Sequence, residues 1–369
     1  MDTQSLWDAL SGAYDDDDAG RKEAAAQRAT TRLQEAERFV HVAEGRANAV
    51  FRACATDGGG DEGEGEDLLP GGLLRVPKKM AGAHPYDYAR LQRFRATMIV
   101  PAVGARHLVP QLLVRVTAAQ ARAMNAARQA SGHAKDDSTI EGPGAAMLIQ
   151  DMTPAAHSQL GMEFKPKWLA QSPIAPPGAK RCRTCAREAY RNSQKLAQQR
   201  QKQQEQQEGE EDGQAQHEPK AVDAPVCPLG LLHDDPDVVL RAIARFAPPS
   251  WTPADHECLR RSLAASGLLT KLRDVQTAGD PGNTMFDNPE DPGFGLAMTL
   301  RDCTCFVRMP KDDNDDDNNE VEIKLADVDE KNWVSKREYW QKSHNNLVDS
   351  GFYHGTEEPH METQCVLQM

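Results

Sequence analysis

The run EFKPKW (Glu163–Trp168) holds a glutamate and two lysines at alternate positions. On an extended chain successive side chains point to opposite faces, so Glu163, Lys165 and Lys167 share one face. Two ammonium groups about 7 Å apart beside a carboxylate suit a polyphosphate better than an apolar core. An exposed edge strand defended by lysines would carry the same residues. Two isolated carboxylates, Asp302 in RDCTCFVRM and Asp327 in IKLADVDEKNWVSKREYW, stand at opposite ends of an expected hairpin. Antiparallel pairing would bring them close. One aspartate placing a metal and another accepting a hydroxyl proton is the minimum for phosphoryl transfer. Helix capping for Asp327 and a turn for Asp302 are the structural alternatives.

Around these lie further candidates. Asp327, Lys331, Ser335 and Tyr339 recur every four residues and, if helical, line a single face, with Lys336 pointing elsewhere. AEGRANAVF (Ala43–Phe51) followed by LLRVPKK (Leu73–Lys79) reads as strand, glycine turn, strand and a second strand ending in basic residues. Amides at such a turn can cradle phosphate and an arginine can pair with it bidentately, although most such turns are structural. RCRTC (Arg181–Cys185) is a CxxC with basic filling, and Cys227 and Cys258 follow. Zinc takes about four ligands, commonly as two close pairs, and a second CxxC is missing, so buried thiols packing a loop compete with a metal site on Cys182 and Cys185.

The elements that must position these residues follow from periodicity. Residues 39–51, 72–78, 97–101 and 161–167 read as strands, 145–152 as a buried strand and 110–130 as helical. Pro236–Leu272 is mostly helical, with a fresh start supplied by PPSWTP, and a last helix runs from Lys331 to about Ser350. A strand-rich part followed by a larger, mixed part predicts an α+β protein of two lobes, 1–152 and 153–369.

Of 369 residues, 43 are Lys or Arg and 56 are Asp or Glu, a formal charge of −13. Four stretches without Lys or Arg, Asp15–Asp18, Asp57–Asp67, Glu205–Asp212 and Asp312–Glu320, carry 21 of the acidic groups, so the remainder is basic, as a protein gripping an anionic ligand should be. Their Gly/Glu, Gln/Glu and Asp/Asn compositions are those of disordered insertions. No apolar run approaches the length of a membrane helix, and the first residues lack the basic and apolar regions of a secretory leader. Eight irregularly spaced cysteines then argue for thiols or metal ligands over disulfides.

Taken in order, AEGRANAVF, LLRVPKK, QDM, EFKPKWLAQSP, RCRTCAR, CPLGLL, TLRDCTCFV and DVDEKN…Y resemble the inositol-pentakisphosphate 2-kinase family, especially its fungal branch. The family's Glu-x-Lys-Pro-Lys signature (EXKPK) stands here as Glu163–Lys167. The resemblance implies a two-lobed kinase-like fold and ATP-dependent phosphorylation of the 2-hydroxyl of inositol 1,3,4,5,6-pentakisphosphate to the hexakisphosphate, phytate. It also implies roles for residues. Glu44, Gly45, Arg46, Ala47 and Asn48 would form the turn over the ATP phosphates, with Arg75 reaching them and Glu163 on the nucleotide side. Asp151, Met152 and Thr153 fall at the adenine-contacting hinge, and Arg241 resembles an arginine that meets ATP. Asp302 matches the catalytic aspartate, assisted by Lys165 near the transfer point, and Asp327 the magnesium-linked one. Lys167, Arg183, Arg191, Lys331 and Tyr339 would hold substrate.

The pattern departs from the family at Ser335, where a basic residue is common, and near Arg241, where an expected asparagine is replaced. An early substrate arginine has only Arg128 as its candidate. The implied cofactors are ATP and Mg²⁺, with structural Zn²⁺ on Cys182 and Cys185 open. The expected partners are the two substrates, without nucleic acid or membrane, for a monomer of the nucleus or cytoplasm. A non-catalytic polyanion-binding protein is the alternative, and a CxxC module on nucleic acid ranks last because aromatic and basic residues do not interleave.

Overall fold

The computed structural model describes residues 7, 19–45, 47–55, 67–79, 87–132, 134, 137–155, 158–207, 226–311, 321–331 and 333–369. Arg46, Asp15–Asp18 and most of the other three acidic stretches lie outside them. The chain divides into two compact units, one of residues 1–161 and 306–326, the other of 162–305 and 327–369. The first therefore takes in a segment, 306–326, that sequence reading assigns to the second lobe.

The first unit is built on a five-stranded antiparallel sheet in the order β1-β2-β3-β5-β4. Its strands are β1 (Arg38–Glu44), β2 (Asn48–Cys54), β3 (Gly72–Pro77), β4 (Gln111–Val116) and β5 (Gly144–Gln150). Burial alternates strictly along β3, so Leu74 and Val76 enter the core while Arg75 stays half-buried on the other face. Helices α1 (Ala19–Gln34) and α3 (Ala118–Ala130) add Leu33 and Met124 to that core.

Two expectations fail here for identifiable reasons. Residues 97–101 are helical, lying in a π-turn (Arg95–Ile99) between α2 (Tyr88–Phe94) and Val100–Val103. Ile99 and Val103 are both fully buried four residues apart, and a short apolar run alone cannot separate strand from helix. The stretch 110–130 is a strand followed by a helix, divided at Thr117, whose side chain accepts from the Gln120 amide while Gln120 reciprocates. That capping box was legible and marks where the helix begins.

In the second unit the helices are α4 (Arg183–Gln207), α5 (Pro236–Ala244), α6 (Pro253–Ser266), α7 (Leu268–Ala278), α8 (Thr284–Asp287), α9 (Pro292–Leu300) and α10 (Trp333–Asp349). Proline at N1 with Thr252 as cap starts α6, and Gly267 in the left-handed region ends it, as the sequence reading of 236–272 expects. The end of α7 meets the start of α9 closely. A Cβ on Gly279 would stand 2.2 Å from the Gly293 carbonyl oxygen, so only glycine permits the approach.

Strands β6 (Gln159–Phe164), β7 (Thr304–Pro310) and β8 (Glu322–Ala326) form a three-stranded sheet in that order. The chain passes between units within β6, within β7 and at the end of β8. The architecture is α+β, as expected for a kinase-like fold. Among the described residues no helix is long and apolar enough to cross a membrane.

Candidate active site

Strand β6 ends at Phe164, earlier than expected, so Lys165 and Lys167 lie on irregular chain. The alternation survives all the same: Glu163 and Lys165 are exposed and Lys167 half-buried, while Phe164 and Pro166 are buried. Lys167 achieves this with a left-handed backbone, φ 55°. The two lysines converge on Asp302. Lys165 Nζ donates to the Asp302 main-chain carbonyl at 2.7 Å and to Asp327 Oδ2 at 3.0 Å. Lys167 Nζ lies 3.2 Å from Asp302 Oδ1, and Lys331 Nζ 3.1 Å from Asp302 Oδ2.

Asp302 precedes β7 and Asp327 follows β8, neighbouring strands, so the hairpin argument places both carboxylates on one lysine. Burial opposes charge on Asp302, but Lys331, Lys165 and Lys167 hold its carboxyl well below the usual carboxylate range. Burial likewise opposes the Lys165 ammonium, and Asp327 and Asp302 more than offset it, raising its pKa. Asp302 is thus firmly ionised.

Beyond Asp302 opens a pocket in the same unit. Lys167, Arg183, Arg187, Arg191, Arg301, Lys331 and Lys336 line it, against Glu188 and Asp302 as the carboxylates among the described residues. The floor is Trp168, with Arg301 over its ring at 3.5 Å and Arg183 at 4.9 Å. Arg301 is fixed by Asp280 at 2.7 Å, and Arg183 by His344 Nδ1 at 3.2 Å. Arg191 pairs with Glu188, and Tyr339, 55% exposed, accepts from Arg187 at 3.0 Å. Such a surplus of guanidinium and ammonium groups is what a compact polyphosphate requires.

Sequence reasoning missed part of this wall. The last helix begins at Trp333, so Asp327 (φ 54°) and Lys331 precede it and the four-residue recurrence is not one helical face. With the register so shifted, Lys336, expected to point elsewhere, lines the pocket, and Arg187 joins it. Arg187 lies four residues from both Arg183 and Arg191, a helical stripe the sequence displays.

The first unit holds most of the residues assigned to nucleotide, whereas Glu163 and Arg241 lie in the second. The turn after β1 is closed by Gly45 N–H donating to Asn48 O at 2.8 Å, and Ala47 O accepts from Lys78 N at 2.9 Å. The buried Asn48 side chain accepts from Tyr88 Oη at 2.8 Å. Glu44 turns inward to Lys78 Nζ, 3.3 Å, and to the Arg128 guanidinium. Arg128, the candidate substrate arginine, donates to Glu44 and to the Ser138 carbonyl. Asp151 follows β5, accepts from Thr153 N at 2.9 Å and meets Arg52 at 3.4 Å, with Met152 buried beside it. Arg241, on α5, lines a separate pocket of the second unit with Arg245, Cys227 and Cys365.

The cysteines make a centre that the sequence displays only in part. Cys182, Cys185, Cys227 and Cys365 are all buried, with their sulfurs within 4.8 Å of one another. A tetrahedral ion with metal–sulfur bonds of about 2.3 Å has sulfur–sulfur edges of roughly 3.8 Å. The Cys182–Cys227 and Cys227–Cys365 separations of 3.9 and 3.7 Å fit it. The main-chain N–H of Cys182 donates to Cys365 Sγ, support of the kind metal thiolates receive. The second pair is 138 residues apart in sequence, which hides it from any CxxC pattern.

The family model described as Inositol-pentakisphosphate 2-kinase matches residues 41–263 and 252–346. The inositol-pentakisphosphate 2-kinase of Yarrowia lipolytica is 30% identical over 209 residues, 56% of this chain and 56% of that protein. That of Candida glabrata is 31% identical over 90 residues, 23% of this chain and 30% of its own length. The match thus spans about half or less of these relatives.

Proposed function

This chain belongs to the inositol-pentakisphosphate 2-kinase family, and from that premise we propose that it transfers the γ-phosphoryl group of ATP to the 2-hydroxyl of inositol 1,3,4,5,6-pentakisphosphate. The product is inositol hexakisphosphate. The observation that carries this reading is Asp302, held ionised by three lysines at the mouth of a pocket walled by arginine and lysine.

The pentakisphosphate brings about ten negative charges, which only a dense cationic shell compensates out of water. Arg191, Arg187, Lys336 and Lys331 bind its phosphates, while Arg183 and Arg301, fixed against Trp168, set the floor. Substrate phosphates compete for Lys167 and Lys331, exposing Asp302 to the hydroxyl. Asp302 orients that hydroxyl and takes its proton as the new oxygen–phosphorus bond forms and the bond from γ-phosphorus to the bridging oxygen breaks, releasing ADP. Lys165 stabilises charge developing on the transferred group. The first unit binds ATP on the Gly45–Asn48 turn and Arg75, with adenine against Asp151–Thr153.

Asp327, a hard oxygen donor beside Asp302, would hold Mg²⁺, which neutralises phosphate charge. Cys182, Cys185, Cys227 and Cys365 would hold Zn²⁺ as a closed structural site. The protein is proposed to act as a monomer in the nucleus or cytoplasm, on these small anions and not on nucleic acid or membrane.

The test is conversion of the pentakisphosphate with Mg-ATP, products resolved by anion exchange. A hexakisphosphate peak lost in Asp302→Ala supports the reading. Tight, salt-sensitive binding without product favours a non-catalytic inositol-phosphate-binding protein.

A further inference from the structure

Gln276 lies on α7, is 1% exposed, and touches neither pocket nor solvent. Its amide is nonetheless fully engaged by two distant segments. Oε1 accepts from Leu169 N at 3.0 Å, and Nε2 donates to Lys167 O at 2.9 Å and to Leu300 O at 3.3 Å. Its own main-chain carbonyl accepts from Arg301 Nη2 at 3.1 Å. One buried side chain thus links the loop that carries Lys167 to the turn that carries Asp302.

That link matters because Lys167 is left-handed, at φ 55°. A non-glycine residue keeps such a conformation only where its surroundings enforce it. Gln276 grips the chain immediately after the strained torsion, at the Lys167 carbonyl and the Leu169 amide. Relaxation of φ to the usual negative range would swing the Lys167 ammonium off the Asp302 side of the pocket.

We propose that Gln276 is a positioning residue, which acts through Lys167 to set phosphate recognition in the pocket. A methionine would fill the same volume but would take away the partner of the Lys167 carbonyl and of the Leu169 amide, while the Leu300 carbonyl would keep the Cys303 thiol. The inference rests on the reading of the pocket as an inositol polyphosphate site.

A double-mutant cycle tests it, since coupling between the two residues is what a merely structural role would lack. The full chain, Gln276→Met, Lys167→Ala and the double variant are titrated calorimetrically with inositol hexakisphosphate, which needs no turnover. Gln276→Met should weaken binding about tenfold in the parent and less than about twofold once Lys167 is alanine. Equal losses in both backgrounds, or no loss in the parent, overturn the proposal. Gln276→Glu, which keeps the acceptor for Leu169 and loses both donors, replaces Gln276→Met in the cycle if that variant does not fold, under the same criteria. A parent chain that binds no inositol hexakisphosphate overturns the functional reading itself, and this inference with it.

Discussion

The Lys165 ammonium stands 3.0 Å from the Asp327 carboxylate and reaches the Asp302 carbonyl at 2.7 Å, so one side chain ties together the two ends of β7 and β8. Removing it by Lys165→Met leaves two aspartates facing each other without their shared cation. Turnover should fall by about two to three orders of magnitude, the usual cost of losing one donor to developing charge. Single-turnover kinetics at saturating substrate measure this loss; a variant within threefold of the parent would remove Lys165 from the chemistry.

Lys167 and Lys336 should act on substrate affinity more than on the chemical step. Each replacement by alanine is expected to raise the KM for pentakisphosphate about ten- to a hundredfold, as for a lost hydrogen bond to a charged group. The dependence of KM on salt should become shallower, whereas Ser335→Ala should change neither. Steady-state kinetics at two ionic strengths decide the matter.

The thiol centre predicts one zinc per chain, by elemental analysis of the purified protein. Cys227→Ser or Cys365→Ser should lose the metal and several kcal/mol of stability, because binding energy at such a site is folding energy. Cys258→Ser, outside the cluster, should retain both.

His344 supplies a pH dependence of stability. Burial, then the charge of Arg183, pushes its pKa down from 6.5 to about 4. Between these values the unfolded chain binds the proton that the folded chain refuses, so stability should decline as pH falls from about 6.5 towards 4. Urea melts at pH 7 and pH 5 measure the decline, and His344→Gln should flatten it.

What the sequence showed, and what it hid, separates along a physical line. Glu163, Lys165, Lys167, Asp302 and Asp327 were visible because alternation and hairpin pairing are local rules. Even where β6 stopped short, buried Phe164 and Pro166 kept the lysines pointing one way. Lys336 was misplaced because the start of α10, and hence its rotation, depends on tertiary packing. Cys365 escaped because its partners lie far off in sequence, and Gln276 because a buried amide carries no pattern of its own. The split at Thr117 was available in its capping pair and was outweighed by the length of the apolar stretch.

The indole of Trp168, which lines the pocket with Arg183 and Arg301 over its ring, gives the protein an optical reporter of its own occupancy. Emission from an indole responds to the cations over its ring, and anions entering above them alter that field. Binding should therefore be followed in unlabelled protein as a change in fluorescence that Trp168→Phe reduces, with Trp340, which lines the same pocket, as the second reporter among five tryptophans.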